Sequence, residues 1–325
     1  MSGLTRAQAG GAKLGLPSAI NLRDAGTLVG LVLILAVFAA LNPVYLTTPN
    51  IMNILQQSSI NACIAPGMTF VIISGGIDLS VGPTAALSAV VAAALMVAGI
   101  PLPLAILAAI GVGMLCGLFS GSLIAFAGLQ PFIVTLGGLS LFRALALIFT
   151  GGNPIFGIPQ EFRAFVNSDI LSVPVPVLII ATIALALWVL LNRTPFGEYV
   201  LAVGGNPEAA RVAGVPVART KVAVYVMSGG LAAVAALILM ARLGAADPTM
   251  GNLWELDAIA AAAIGGASLM GGKGSVVGTL LGAVILGALR NGLTLMNVQA
   301  FYQLLAIGII IIVAMLIDRV TRGRG

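Results

Sequence analysis

The sequence predicts an all-α integral membrane protein, a polytopic bundle of about ten transmembrane helices with both termini in the cytoplasm. Three observations predict it. Of 325 residues, 60% are hydrophobic and 8% are charged, whereas a soluble domain carries about 25% charged residues. Such a chain cannot cover a surface in water, and its mean hydropathy is +1.14. Its apolar residues also fall into runs near the roughly 20 residues that a bilayer-spanning helix needs. The few basic residues concentrate on one set of loops, as the positive-inside rule requires.

In chain order, Pro, Gly, Asn and charged residues divide the apolar sequence into runs at 27–41, 51–73, 81–98, 102–127, 131–150, 173–191, 222–241, 257–270, 275–295 and 300–317. The first follows a polar lead containing Arg6, Lys13 and Arg23. That lead is long for a signal peptide and no small-residue cleavage site follows the run, so it is read as an uncleaved span. Counting inward and outward from there, residues 1–26, the loop 192–221, the loop holding Lys273 and the tail 318–325 lie in the cytoplasm. Arg193, Arg211, Arg219 and Lys221 sit in the long loop, and Arg319, Arg322 and Arg324 near or in the tail. The outer loops 42–50, 151–172, 242–256 and 296–299 hold only Arg163 and Arg242, with Arg290 near an outer helix end as an exception. The whole chain, 1–325, reads as a single transmembrane domain.

Two rows of small residues, Gly113, Gly117, Gly121 and Gly274, Gly278, Gly282, suit close helix packing, within the bundle or against a second copy. Cys63 and Cys116 lie in apolar runs and read as buried free thiols. The segments 75–82 and 271–278 echo each other weakly.

Composition also excludes chemistries. With no histidine, Ser-His-Asp and Cys-His catalysis and histidine-ligated metals are absent. The net charge of +5 is not arranged as a basic stripe with interleaved aromatics, so nucleic acid is not a partner. Gly272-Lys273 is followed by Gly274, and position 267 is Ala, so the phosphate-loop pattern fails twice. Gly111, Gly113 and Gly117 miss the dinucleotide spacing. No catalytic residue, metal or cofactor is assigned to this chain, and any ATP and Mg must be bound by another one.

Four features could carry function. In the long polar loop, Asn206 is a good N-cap and Pro207 suits the first helical position. Glu208 lies at the positive end of the helix dipole and Gly214 suits the exit. With Ala209, Ala210 and Arg211 this makes a self-contained helix of about two turns, either a solvated connector or a rigid piece that presses into a cytoplasmic ATPase. Next, the segment containing Gly76, Asp78, Ser80 and Gly82 places an acid between two apolar runs. It is either a cap for the following helix or a gate linked to transport. Third, Asn53, Gln57 and Asn61 form a stripe at i, i+4 and i+8 with Gln56 beside it. The stripe serves interhelical hydrogen bonds or lines a path whose amides meet sugar hydroxyls. Fourth, Arg143 sits mid-run and requires an acid, backbone carbonyls or a wet cavity. Glu255 and Asp257 open the eighth run, where acids suit a helix N-terminus.

Taken together, several motifs resemble the ribose-type permeases of bacterial ABC sugar importers. They are Asn53-Ile54-Leu55-Gln56-Gln57, Gly76-Ile77-Asp78-Leu79-Ser80-Val81-Gly82, Gly204-Gly205-Asn206 with Ala209-Ala210-Arg211, Glu255-Leu256-Asp257-Ala258-Ile259-Ala260-Ala261, and Gly271-Gly272-Lys273-Gly274. The resemblance runs from about Pro49 through nearly all of the remaining chain, departing at Pro83 and in the outer loop 151–172. It implies a multi-pass protein of the bacterial inner membrane in which two copies form the pathway. A cytoplasmic ATPase drives it and a periplasmic sugar-binding protein delivers a monosaccharide, with ribose or a related pentose as the first expectation. Residues 206–214 would be the coupling helix. The alternatives are a permease for branched-chain amino acids and an ion-coupled secondary transporter using Asp78 or Arg143 as a relay.

Overall fold

Where no water reaches the backbone, each apolar run must satisfy its own N–H and C=O groups, and a helix does so. The computed structural model describes residues 22–322. In chain order its helices are α1 (Leu22–Leu41), α2 (Thr48–Ile73), α3 (Val81–Val97), α4 (Leu102–Phe126), α5 (Pro131–Thr150), α6 (Gln160–Val166), α7 (Val175–Arg193), α8 (Pro195–Gly205), α9 (Pro207–Val212), α10 (Val217–Leu243), α11 (Trp254–Ile264), α12 (Val276–Leu295) and α13 (Ala300–Arg322). Each apolar run carries one of them. Helices α6, α8 and α9 lie in the polar connections, and α8 was not anticipated within the loop 192–221. Proline occupies the first turn of α2, α4, α5, α7, α8 and α9, where its missing N–H costs nothing. By length and composition, α4, α5, α7, α10 and α12 are able to cross a membrane. Arg6, Lys13 and Arg324 lie outside the described residues, as do the side chains of Arg23, Arg319 and Arg322 and the stretches 1–21 and 323–325 of the two terminal segments.

Two short ladders tie the connections together. Strand β1 (Ile155–Phe156) pairs antiparallel with β4 (Ala245–Ala246), and β2 (Asp169–Ile170) pairs with β3 (Val173–Pro174). The first ladder joins the connection after α5 to the end of α10, and α3 ends beside it, since Val97 approaches Gly157.

The glycine rows set the packing. Helices α4 and α10 run antiparallel with Gly113 on Gly229, Gly117 on Tyr225 and Gly121 on Val222. A Cβ at Gly117 would overlap the Tyr225 carbonyl, and one at Gly113 the Gly229 carbonyl. In the second row Gly282 packs on Ala261, Gly278 on Gly265, and Gly274 on the Ile73 side chain. Both rows therefore serve packing inside one chain. Cys63 and Cys116 are free and buried.

Two helices are too short for the height of the bundle. The end of α2 lies at the level of α8, because Ile73 O accepts from Gly272 N at 2.8 Å and Gly204 packs on that same carbonyl. The chain turns at Gly75, with φ +81°, and climbs without helical structure to Ser80. There Asp78 meets Ser228, eleven residues into α10, or about 16 Å along it. Helix α3 starts at that depth and its 17 residues cover about 25 Å more, reaching the β1–β4 ladder. From the C-terminal end of α10, residues 244–253 turn back into the bundle until Gly251 touches Gly82. Helix α11 starts there and runs the other way. The expected span 257–270 thus becomes an 11-residue helix, because Gly265 and Gly266, with φ +83° at Gly266, stop it.

The close α4–α10 contact predicts that Gly117→Ala destabilises the folded protein by about 1–3 kcal/mol through overpacking. Gly111→Ala, where the added methyl meets open space, should be neutral. Thermal unfolding of the purified variants in detergent checks this, and equal midpoints would contradict the packing.

Candidate functional site

The first turns of α3 and α11 meet at mid-depth, and the charged residues of the bundle interior gather around them. Asp78 holds the rising segment. Its Oδ1 accepts from the Ser80 amide at 3.0 Å and the Ser80 hydroxyl at 2.6 Å. Its Oδ2 accepts from the Ser228 hydroxyl at 2.9 Å. The Tyr225 hydroxyl donates to Ile77 O at 3.3 Å and Thr135 to the same oxygen at 3.2 Å. The non-helical backbone is thereby partnered from α5 and α10, which a buried irregular segment requires. Ser80 is the N-cap of α3 but makes no side-chain cap bond. Asp78 serves the helix start through the Ser80 amide. Gly82 is needed because a Cβ there would strike the Gly251 carbonyl, and Glu255 Oε2 stands beside it. Gly76 is similarly confined, against the Tyr225 hydroxyl.

Arg143 finds the second of its three options. Its Nη1 donates to Pro248 O at 2.6 Å and Met250 O at 2.9 Å, so α5 clamps the descending segment 244–253. Its positive charge also faces Glu255. Glu255 is 7% exposed, and its Oε2 has no hydrogen-bond partner among the described residues. Asp257, one turn edge further, accepts from Arg290 Nη2 at 2.6 and 2.8 Å. That pair gives Arg290, the exception near a helix end on the charge map, its acid partner. Acids in the first turn of α11 also suit its positive dipole end.

The polar stripe of α2 leads to this junction. Asn53 and Gln57 are exposed, and Gln56 and Asn61 half-buried. Arg242, in the last turn of α10, donates to Gln56 O at 3.2 Å. Asn61 Nδ2 lies 3.5 Å from Asp257 O, while its Oδ1 is buried without a partner. Two unused acceptors, Asn61 Oδ1 and Glu255 Oε2, therefore stand near the head of α11. Amide and carboxylate oxygens in that state suit a ligand rich in hydroxyl donors. Reading the sequence placed the stripe and the Gly76–Gly82 segment apart and left Glu255 as a helix-end acid. The fold brings both groups to one depth.

The helix 206–214 is a separate element. Asn206 Oδ1 accepts from the amides of Glu208 and Ala209, both at 3.0 Å. Arg211 bridges Glu208 at 3.1 Å, and Gly214 exits at φ +83°. Ala210 packs with Val203 and Val217, anchoring α9 to α8 and α10, whereas Ala209 is exposed. Val212 is 90% exposed, an apolar residue on a polar helix that the sequence reading did not single out. Its place in the last turn was the available signal.

Comparison with known proteins fits this geometry. The family model described as "Branched-chain amino acid transport system / permease component" matches residues 50–315. The ribose import permease protein RbsC of Bacillus subtilis is 45% identical over 92% of this chain and 93% of its own. RbsC of Escherichia coli strain K12 is 42% identical over 91% and 94%. The D-allose transport system permease protein AlsC of that strain is 41% identical over 90% and 91%. The chain belongs to the ribose-type permeases of ABC importers. Permeases of this family are multi-pass proteins of the bacterial inner membrane. They work with a separate ATPase and a substrate-binding protein.

The Arg143 clamp predicts that Arg143→Met, which keeps the stem and loses both charged hydrogen bonds, frees residues 247–253 beyond the β1–β4 ladder. At about 1.5–3 kcal/mol for a hydrogen bond to a charged group, amide exchange there should quicken at least about tenfold while α4 and α10 stay protected. Unchanged exchange would remove the clamp.

Proposed function

We propose that this permease subunit imports a monosaccharide, ribose or a related pentose, in an ATP-driven assembly of two permease copies, a cytoplasmic ATPase and a periplasmic sugar-binding protein. The observation that carries the sugar reading is the pair of unpartnered buried acceptors at the end of an exposed amide stripe. The stripe of Asn53, Gln57, Gln56 and Asn61 is polar, partly uncovered and set in an otherwise apolar chain. Two copies facing each other across it would enclose a wet path, and sugar hydroxyls would replace water along it. Relatives named for ribose and allose support a sugar over the branched-chain amino acids in the family description.

The ten helices on apolar runs act as the membrane-embedded elements, with α3 and α11 as short helices whose crossings are completed by the segments 74–80 and 244–253, and with both chain ends in the cytoplasm. Residues 192–221 form the coupling region. Within it α9 (with Asn206, Pro207, Glu208, Ala209, Ala210, Arg211 and Gly214) transmits the motion of the ATPase. Its cap, its internal ion pair and its Ala210 anchor make it stiff enough to push α8 and α10 together. Val212 and Ala209 form the face offered to the partner. Gly76, Asp78, Ser80 and Gly82 form the gate, where the two short helices abut at Gly82 and Gly251. Arg143 holds the outer half of that gate. ATP and Mg belong to the ATPase, and this chain performs no chemistry on its solute. The clamp also favours this reading over an ion-coupled carrier, because Arg143 is engaged by carbonyls and Asp78 by three donors.

Reconstitution in proteoliposomes with ATPase and binding protein, followed by uptake of a panel of labelled sugars and amino acids, tests the proposal. Labelled ribose or another pentose should accumulate with ATP and persist with an uncoupler. Accumulation of leucine alone, or collapse with the uncoupler at constant ATP, would overturn it. Ala209→Glu with Val212→Glu should abolish uptake while the protein still inserts. Wild-type uptake would cancel the coupling assignment. Gln57→Leu should lower sugar flux several-fold with the ATPase still bound, and unchanged flux would return the stripe to packing.

A further inference from the structure

Outside the transport path, a basic hollow lies next to α9. Because α4 and α10 are antiparallel, the linker 127–130 after α4 rests against the start of α10. Between them is a cavity of about 750 Å³ whose lining includes Phe126, Leu129, Gln130, Arg211, Arg219 and Lys221. Arg211 is already neutralised by Glu208. Arg219 and Lys221 have no carboxylate within 4.0 Å among the described residues. Beside these cations stands an apolar shelf. Phe126 is 71% exposed, and Leu129, Phe132 and Ile133 are exposed as well.

Depth and chemistry together indicate the occupant. The end of α4 and the starts of α5 and α10, three helices able to cross a membrane, converge here. The hollow therefore sits at headgroup level, with the shelf of α5 continuing into the hydrocarbon. Two uncompensated cations above an apolar face match an anionic headgroup with its acyl chains below, and basic pockets between helices at this membrane face are suited to such lipids. A soluble protein docking on the cations would leave Phe132 and Ile133 unexplained. We infer that this hollow binds an anionic phospholipid, its phosphate on Arg219 and Lys221 and its chains on Phe126, Leu129 and the first turn of α5. Arg211 lines the hollow and belongs to α9, and Val217 of α10 packs on Ala210 of α9. A bound lipid thus braces the mounting of α9. The inference rests on the reading that the α9 end is the cytoplasmic face.

The test uses the purified full-length permease, delipidated in detergent, titrated separately with phosphatidylglycerol and phosphatidylcholine, with bound lipid counted by native mass spectrometry. Phosphatidylglycerol should be retained at lower concentration than phosphatidylcholine. Arg219→Gln with Lys221→Gln should raise its half-saturating concentration about 25-fold, at roughly fivefold per basic residue, and leave phosphatidylcholine unaffected. Equal retention of phosphatidylglycerol by wild type and variant would overturn the inference. Displacement by millimolar inorganic phosphate would do the same, marking a site for free phosphate. A variant that keeps the lipid but no longer copurifies with the ATPase would reassign the surface to protein docking. The titration contains no ATPase, so failure of the coupling reading, shown by wild-type uptake in Ala209→Glu, leaves its outcome separately readable.

Discussion

The structure depends on the Asp78 carboxylate. A backbone that leaves a helix inside an apolar bundle exposes amides and carbonyls that must find partners, each at a cost of several kcal/mol if it fails. Asp78 accepts three hydrogen bonds from Ser80 and Ser228, and these fix where α3 begins. With α3 starting at mid-depth, the inner half of its column is free for α11, and the segment 244–253 can descend to meet it. Without that break, two full-height helices would fill the place where the polar groups gather.

The consequence for function is a junction rather than a channel wall. Two helix N-termini face each other where Gly82 meets Gly251, with Asp78, Glu255, Asp257, Arg143 and Arg290 around them. Positive helix ends and the two guanidiniums offset the acids locally. The segment 244–253 is held by the β1–β4 ladder and by the Arg143 guanidinium on two carbonyls, and the start of the rising segment by backbone contacts between Ile73, Gly204 and Gly272. Helix α8 contributes Gly204 to these contacts, and α10 contributes Ser228 and Tyr225 to the Asp78 segment. Those two helices are the ones on which α9 is mounted.

Much of this was legible in the sequence, and the reasons differ by element. Apolar runs bounded by Pro and Gly located ten helices within a few residues, because hydropathy and punctuation are local properties. The α9 cap was legible for the same reason, since Asn206-Pro207-Glu208 and Gly214 specify it without help from the rest of the chain. The glycine rows signalled close packing, and the structure supplied the partners, α10 for one and α11 with α2 for the other. What local pattern could not supply was depth. Ser74–Ser80 reads as an ordinary loop until Ser228 and Tyr225 are found beside it, and run 257–270 reads as a span until Gly265 and Gly266 end the helix. Arg143 was ambiguous because backbone carbonyls leave no trace in a sequence. Glu255 looked like a helix-end acid, and only the fold left its Oε2 without a partner near Asn61.

The most direct measurement is a double-mutant cycle on the unfolding of the reconstituted permease, using Asp78→Ala, Ser228→Ala and the pair. If the carboxylate pins the α2–α3 break to α10, the two changes are coupled by about 1.5–3 kcal/mol, the range for a hydrogen bond to a charged group. Additive losses would show that the break is held by something else and that the mid-depth junction does not rest on Asp78.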